Sequence, residues 1–486
     1  MHKRPRLTLA TAAAATLTGG LLTLSAATAS AAPTPGATTA DADFDGDGLG
    51  DVATSATRAY VDGKKAAGQI TVLYGGGGHT TISQNSAGVP GAAETEDYFG
   101  SDLAYGDFDG DGYDDLATGA GGEDVGDDVD GGTAVILWGS ASGLHGGTTV
   151  KDPRPTKHDR FGGILEAADL NGDGRVDLAL GTTTSATVDI YRGGFTRGGS
   201  TGGQYTLLPP ILSGNGDGLR NLHSGDANGD GIEDLIVNGY ENDTYDAYDA
   251  YDANFWFPGS SSGVRAGTSQ KLPAGFVTDV GDTDGDGYGD IIYGIGWDDG
   301  IAGARNGGAV LIGHGSADGP AYGDQQSFSQ DTSGVPGGGE KGDSFGAELD
   351  LGDINGDGHL DLVVGTPGED LDGVKDAGAV TILYGAADGS GITGTGAKML
   401  SQDSPGVPNS DETGDFFGSD VHVDDLDSDG LGDVVVGASG ENSDNGAVYP
   451  LLSGSDGSLK GTAGIYVSTV GVSGSGTPLL GNNFAD

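Results

Sequence analysis

The sequence predicts an all-β fold, a seven-bladed β-propeller of four-stranded antiparallel blades. Three observations carry that reading. An acidic nonapeptide, D-x-[DN]-x-D-G-x-x-D, recurs seven times, with first residues Asp43, Asp107, Asp169, Asp226, Asp282, Asp353 and Asp425. Its intervals of 64, 62, 57, 56, 71 and 72 residues average about 64, so seven units need roughly 446 residues, the length from Asp41 to Asp486. Between the loops lie short β-branched and aromatic runs separated by Gly-rich turns, with no helical period, which specifies radial repetition of small antiparallel sheets.

The elements follow in chain order. Residues 1–31 read as an export signal: Lys3, Arg4 and Arg6, the apolar stretch Leu7–Leu24, then Ala27-Thr28-Ala29 or Ala29-Ser30-Ala31 as the cleavage site. Residues 32–40, rich in Pro and Ala, form a short linker, and 41–486 form the propeller. After each acidic loop comes an apolar run ending in Gly, as in Asp115-Leu116-Ala117-Thr118-Gly119, Asp361-Leu362-Val363-Val364-Gly365 and Asp433-Val434-Val435-Val436-Gly437, which reads as a buried strand. A polar loop leads to a third strand, such as Gln69–Tyr74, Ala134–Trp138 or Ala379–Tyr384. A Gly/Ser/Asp turn and a weaker fourth strand follow. Ser83–Pro90, Ser329–Pro336 and Ser401–Pro408 share Ser-Gln-x-(Ser/Thr)-x-Gly-Val-Pro and read as connectors between blades.

Composition narrows the function. The chain has 73 Asp and Glu against 21 Lys and Arg, a net charge of −52, and loss of the signal takes this to −55. Such a surface repels nucleic acid and anionic membranes. No cysteine is present among the 486 residues, so a disulfide framework, a thiolate nucleophile and zinc–sulfur ligation are excluded.

Carboxylates or amides at loop positions 1, 3, 5 and 9 can converge on one ion because Gly at position 6 lets the backbone turn sharply. The candidate ligand sets are Asp43, Asp45, Asp47 and Asp51; Asp107, Asp109, Asp111 and Asp115; Asp169, Asn171, Asp173 and Asp177; and Asp226, Asn228, Asp230 and Asp234. Asp282, Asp284, Asp286 and Asp290, then Asp353, Asn355, Asp357 and Asp361, and finally Asp425, Asp427, Asp429 and Asp433 complete the series. All-oxygen ligation selects a hard cation, and flexible loops favour Ca²⁺ over Mg²⁺, with up to seven ions. A helical EF-hand would need Glu at position 12, where this chain has Thr54, Thr118, Leu180, Val237, Tyr293, Val364 and Val436 inside predicted strands.

A Phe-Gly pair precedes several acidic loops, and a Gly-Ala-Pro-like end closes the strand after them. Phe99-Gly100 goes with Gly119-Ala120-Gly121, Phe345-Gly346 with Gly365-Thr366-Pro367, and Phe417-Gly418 with Gly437-Ala438-Ser439, while Phe161-Gly162 is a fourth pair in the same register. The pattern resembles the FG-GAP repeat of the integrin alpha-chain propeller and spans essentially all of residues 41–486. Three repeats depart from it: the first has no Phe-Gly, the fourth has Gly218-Leu219 in its place, and the fifth has Phe276 two residues late. For the first, Gly481–Asp486 looks like Gly342–Ala347, which would place the C-terminus in the ring beside Ala37–Ala42 with Phe484 standing for Phe345.

The export signal implies a secreted, extracellular protein and the acidic loops imply calcium stabilisation, while the resemblance implies an adhesion or recognition module that binds a protein or a glycan; a monomer is expected. The chain has no Arg-Gly-Asp tripeptide and no apolar C-terminal tail that would anchor or span a membrane. Acidic loops between second and third strands, Glu123–Asp130, Asp298–Asp299, Glu369–Asp376 and Glu441–Asp444, lie opposite the calcium loops and read as a solubilising surface or a ligand face. In blade four the Tyr-Asp-Ala repeats of Tyr240–Asp252 suit a binding surface or a low-complexity tract.

A hydrolase of phospholipase or esterase type with its site on the propeller is the rival reading. Gly342-Asp343-Ser344-Phe345-Gly346 and Gly259–Gly263 match the G-x-S-x-G pattern, but their sister repeats carry other residues at the Ser, and the eight histidines are scattered singly among the repeats. No catalytic residue is nominated.

Overall fold

Seven antiparallel sheets follow one another along the chain. The computed structural model describes residues 42–155, 160–182, 186–212, 218–241, 253–321 and 325–485. Blade two shows the pattern: Phe99–Gly106, Asp115–Ala120, Thr133–Trp138 and His145–Val150 pair in sequence order from the ring axis outward. Blade three is Ile164–Ala168, Asp177–Gly181, Val188–Arg192 and Gly203–Leu207, and blade four is Leu219–Gly225, Asp234–Gly239, Ala253–Phe257 and Gln270–Lys271. Val277–Gly281, Asp290–Ile295, Ala309–Gly313 and Gln325–Phe328 make blade five; Leu349–Gly352, Asp361–Thr366, Ala379–Gly385 and Ile392–Leu400 make blade six. Blade seven is Phe417–Asp424, Asp433–Ala438, Ala447–Ser453 and Leu459–Gly461, with Ile465–Tyr466 added on its third strand.

The second and third strands of each blade are buried on both faces, which is why they read as continuous apolar runs instead of alternating ones. Blades stack face to face, and among the described residues one apolar cluster fills each of the seven interfaces between neighbours. The seventh closes the ring: Val435 and Val448 of blade seven pack with Val52 and Ala56 of blade one, Leu480 and Phe484. Each large side chain buried there contributes about 1.5–3 kcal/mol.

Blade one draws strands from both ends of the chain. Val52–Ala56, Gln69–Leu73 and His79–Ile82 form three of them. The innermost position is taken by Asn483–Ala485: Ser55 N donates to Asn483 O at 2.9 Å, and Ala485 N donates to Ala53 O at 3.0 Å.

The Phe-Gly pairs explain themselves here. Phe99, Phe161, Phe345 and Phe417 are fully buried between blades. The Gly after each adopts a left-handed φ of 78° to 89°, and a Cβ on Gly346 or Gly418 would lie 2.6 or 2.4 Å from the carbonyl oxygen of Ala309 or Ala379. The expected alignment of Phe484 with Phe345 is overturned by this geometry. Leu480 pairs with Gly446 as Phe417 pairs with Gly378, and a Cβ on Gly481 would lie 2.5 Å from Ala447 O. Leu480-Gly481 is therefore the Phe-Gly equivalent of blade one, and Phe484 serves the strand that follows. Phe276 does not replace the buried Phe of blade five either; it is 36% exposed and meets Trp297 edge to face at 5.6 Å.

Antiparallel order puts the first-to-second and third-to-fourth connections on one face of the ring. The second-to-third loops and the inter-blade connectors are on the other. Acidic nonapeptides therefore share one face, and the connectors share the opposite one.

Candidate metal centres and connector face

Each nonapeptide is a tight loop organised around two carboxylates. The first Asp accepts the amides of positions 5 and 6 in every loop and that of position 4 in blades one, two and six: Asp43 Oδ1 takes Gly46 N at 2.7 Å and Asp43 Oδ2 takes Gly48 N at 3.0 Å. Gly at position 6 has a left-handed φ in all seven loops, from 77° at Gly174 to 91° at Gly112, as the turn requires. The position-5 acids, such as Asp47, Asp111, Asp230, Asp286, Asp357 and Asp429, accept the amide two residues on. The buried Phe44, Phe108, Leu170, Ala227, Thr283, Ile354 and Leu426 pin position 2 to the blade.

Position 9 is the buried end. Asp51, Asp115, Asp177, Asp234, Asp290, Asp361 and Asp433 are at most 1% exposed. Each accepts a backbone N–H at or just beyond the end of the third strand of its blade: Gly75, Gly139, Gly193, Gly259, Gly315, Gly385 and Ser453, at 2.7–3.0 Å. Burial pushes the carboxyls of Asp51, Asp115, Asp361 and Asp433 up to about 7 and that of Asp234 up to about 6, against the pull of those N–H groups. A divalent cation beside position 9 would offset that cost of burying charge.

The loops differ in how far they converge. Where position 3 is Asp, three carboxylates come within 4.8 Å of one another: Asp43, Asp45 and Asp51; Asp107, Asp109 and Asp115; Asp282, Asp284 and Asp286; Asp425, Asp427 and Asp433. Such donor sets fit a hard divalent cation. Where position 3 is Asn, the amide turns its nitrogen to position 9: Asn171 Nδ2 donates to Asp177 at 2.8 Å, Asn228 Nδ2 to Asp234 at 3.1 Å and Asn355 Nδ2 to Asp361 at 3.2 Å. Those three loops, with Asp169 and Asp173, Asp226 and Asp230, and Asp353 and Asp357 as their other candidate ligands, must turn the amide over to offer an oxygen.

On the connector face the acidic loops are not uniformly surface charge. Glu369 and Glu441 are buried, and Gln330 and Gln402 of the Ser-Gln connectors donate to them at 2.5 and 2.7 Å; Gln84 makes the same bond to Glu123 at 2.6 Å. The first Glu of these loops thus ties a blade to its connector. The residue before each Phe-Gly equivalent is left-handed whatever its identity: Tyr98, Arg160, Ser344, Phe416 and Leu479 have φ of 54° to 63°. This face also collects the exposed apolar groups. Val125, Val129, Leu208, Leu212, Phe276 and Trp297, the exposed large hydrophobics among the described residues, all sit on second-to-third loops or connectors. Of the tyrosine-rich segment, 242–252 lies outside the described residues, and Tyr240 stacks under the Arg220 guanidinium at 4.8 Å.

Comparison with known proteins agrees with the repeat geometry. The FG-GAP repeat model matches residues 35–73, 99–137, 345–383 and 417–449, and the FG-GAP-like repeat model matches 169–237. The chain is a β-propeller that carries FG-GAP repeats. Integrin alpha pat-2 of Caenorhabditis briggsae is 31% identical over 238 residues, covering 42% of this chain and 18% of that protein. The chain thus spans under a fifth of the length of that curated relative. Among solved structures, an Agrocybe aegerita lectin described for recognition of non-reducing terminal N-acetylglucosamine aligns with a TM-score of 0.50 and 16% identity, over 90% of this chain and 96% of that one.

Three features of the FG-GAP propeller were hidden from the linear sequence. His314 Nδ1 lies 3.2 Å from Asp290 and 3.5 Å from Asp284, adding a nitrogen to the blade-five loop. Arg197, from the outer hairpin of blade three, reaches Asp109 and Asp111 of blade two. The ring also brings His223 and His422 to one axial cavity of about 260 Å³ with Glu166, Asp279 and Asp350, where burial pushes His223 down to about 4. The first two could have been found by registering the residue before each position-9 donor and by counting basic residues near the hairpins. Of the G-x-S-x-G windows, Ser344 lies in the left-handed position before Phe345 and donates to Gly342 O at 3.4 Å, and the other forms the Ser260–Gly263 hairpin turn. Among the described residues no helix is long and apolar enough to cross a membrane.

Proposed function

We propose that this propeller is an exported, calcium-stabilised recognition module whose connector face binds an extracellular protein or glycan. The segregation of exposed apolar side chains carries the reading: all six lie on the connector face, opposite the acidic loops, with Phe276 and Trp297 forming an aromatic pair beside blade five. Exposed aromatic groups on a rigid scaffold are the usual anchors of a binding surface. Calcium acts at a distance from that surface. It offsets the buried position-9 carboxylates and holds the loops that set the blade edges, so it stabilises the ring without touching the partner.

The test is capture of partners from the native extracellular milieu on immobilised protein, with calcium, with chelator, and with Phe276→Ala/Trp297→Ala. Capture should be lost in the double variant while its calcium content and melting stay close to the parent's. Equal capture by parent and variant would remove the connector face from the reading.

A further inference from the structure

Basic residues are scarce in this chain, 21 against 73 acids, yet three of them meet around one cavity. Arg58, Lys65 and Arg160 line a concavity of about 590 Å³ on the connector face where blades one, two and three adjoin. All three are exposed, and among the described residues no ion pair engages any of them. Among the described residues Glu96 is the one carboxylate lining the cavity, against three basic groups, so their local charge opposes that of the whole molecule. Two half-buried tyrosines supply flat walls. Tyr60 lies against Gly476, where a Cβ would come within 2.0 Å of Cε1, and Tyr98 lies beside Gly122, where a Cβ would come within 3.0 Å of Cδ2. The fold does not demand these identities. Arg160 and Tyr98 occupy the left-handed position before Phe-Gly, which holds Ser344, Phe416 and Leu479 elsewhere.

We propose that this pocket binds an acidic sugar, a pyranose bearing a single carboxylate, carried on an otherwise neutral glycan. Two guanidinium groups and an ammonium recognise a carboxylate through charge-assisted hydrogen bonds, and tyrosine faces suit the apolar side of a sugar ring. The volume falls in the range of small-molecule sites and far exceeds one aspartate side chain. A polyanion is disfavoured because the field of a −52 chain opposes its approach, whereas one carboxylate on a neutral body meets little of that repulsion. This inference rests on the connector face being the binding face and names the ligand's chemistry there.

Calorimetric titration of the calcium-saturated full chain with methyl glucuronide, methyl glucoside and N-acetyl-aspartamide tests it, at low and high salt. Glucuronide should bind, glucoside should bind at least about tenfold more weakly, and Arg58→Gln and Arg160→Gln should each weaken glucuronide about tenfold or more with unchanged melting. Raised salt should weaken it further. Equal binding of glucoside and glucuronide, or unchanged affinity in both variants, would overturn the proposal, as would N-acetyl-aspartamide binding as tightly, which would assign the pocket to acidic peptides. Partner capture that persists in Arg160→Gln while glucuronide fails to bind the parent would sink this proposal and leave the broader reading standing.

Discussion

Arg197 holds Asp109: its Nε lies 2.9 Å from Asp109 Oδ2, and its Nη2 reaches Asp111 Oδ2 at 2.8 Å. Two of the four candidate ligands in the blade-two loop are thus engaged by a cation from blade three, and the guanidinium also covers Trp138 at 5.6 Å. The seven loops are alike in spacing and unequal in chemistry.

Replacing Arg197 should therefore free a metal site. Arg197→Gln removes a half-exposed ion pair worth about 0.2–1 kcal/mol and should raise the calcium content by one ion, or tighten the weakest site about tenfold, at fixed free calcium. Metal analysis after gel filtration reads the count. An unchanged count and affinity would mean that Arg197 does not compete with the ion.

Calcium should raise the melting temperature through linkage, since an ion that binds only the folded loops adds RT ln(1 + [Ca]/Kd) per site. With Kd near 1 mM and 1 mM calcium, each site contributes about 0.4 kcal/mol, and the three convergent loops that Arg197 leaves free about 1. At a Kd of 10 μM the figures are about 2.7 and 8. Differential scanning calorimetry in calcium and in chelator checks this, and coincident transitions would remove the metal from the account.

How much of this was legible in the sequence depends on which relation carried it. The propeller and its loop geometry were readable because seven copies repeat the same local demands: Asp at positions 1, 5 and 9, and Gly at position 6 where φ is positive. Relations between repeats were not. Arg197 stands 88 residues from Asp109 and His314 stands 24 from Asp290, so loop spacing alone could not show them. Glu369 and Glu441 looked like surface acid because the sequence does not show Gln330 and Gln402 folding back over them.

The buried acids of the connectors predict a pH dependence separate from the metal loops. Asp343 accepts Glu340 N at 2.5 Å, and burial, reinforced by Glu369 and Glu340, pushes it up to about 7 from 3.8. Between those values the folded state holds a proton that the unfolded chain has released, so stability falls as pH rises through that window. Asp343→Asn keeps the acceptor and drops the charge. In saturating calcium it should flatten the decline from pH 4 to 7 and stabilise by up to about 1 kcal/mol above pH 7, with little change at pH 4. Parallel stability curves for parent and variant would show that Asp343 does not titrate in this window.

Ring closure offers the sharpest test of register, because the alternatives differ in what surrounds one glycine. If Gly481 were equivalent to Gly342, which has nothing within 4 Å of an added Cβ, Gly481→Ala would cost only the left-handed backbone penalty of about 1 kcal/mol. Gly471, with φ of 77° and equally open surroundings, supplies that baseline as Gly471→Ala. The structure instead places Gly481 where Gly346 and Gly418 sit, 2.5 Å from Ala447 O at the Cβ position. A backbone oxygen cannot yield as a side chain can, so Gly481→Ala should cost about 2–4 kcal/mol once overpacking adds to the backbone strain. Leu480→Ala should cost about 2–5 kcal/mol, since it empties the buried Phe-equivalent position between blades seven and one. Leu480→Phe should stay within about 1.5 kcal/mol, because that position holds Phe in blades two, three, six and seven. Urea denaturation of the four variants measures all of these, and equal losses in Gly481→Ala and Gly471→Ala would return the closing strand to the register in which Phe484 stands for Phe345.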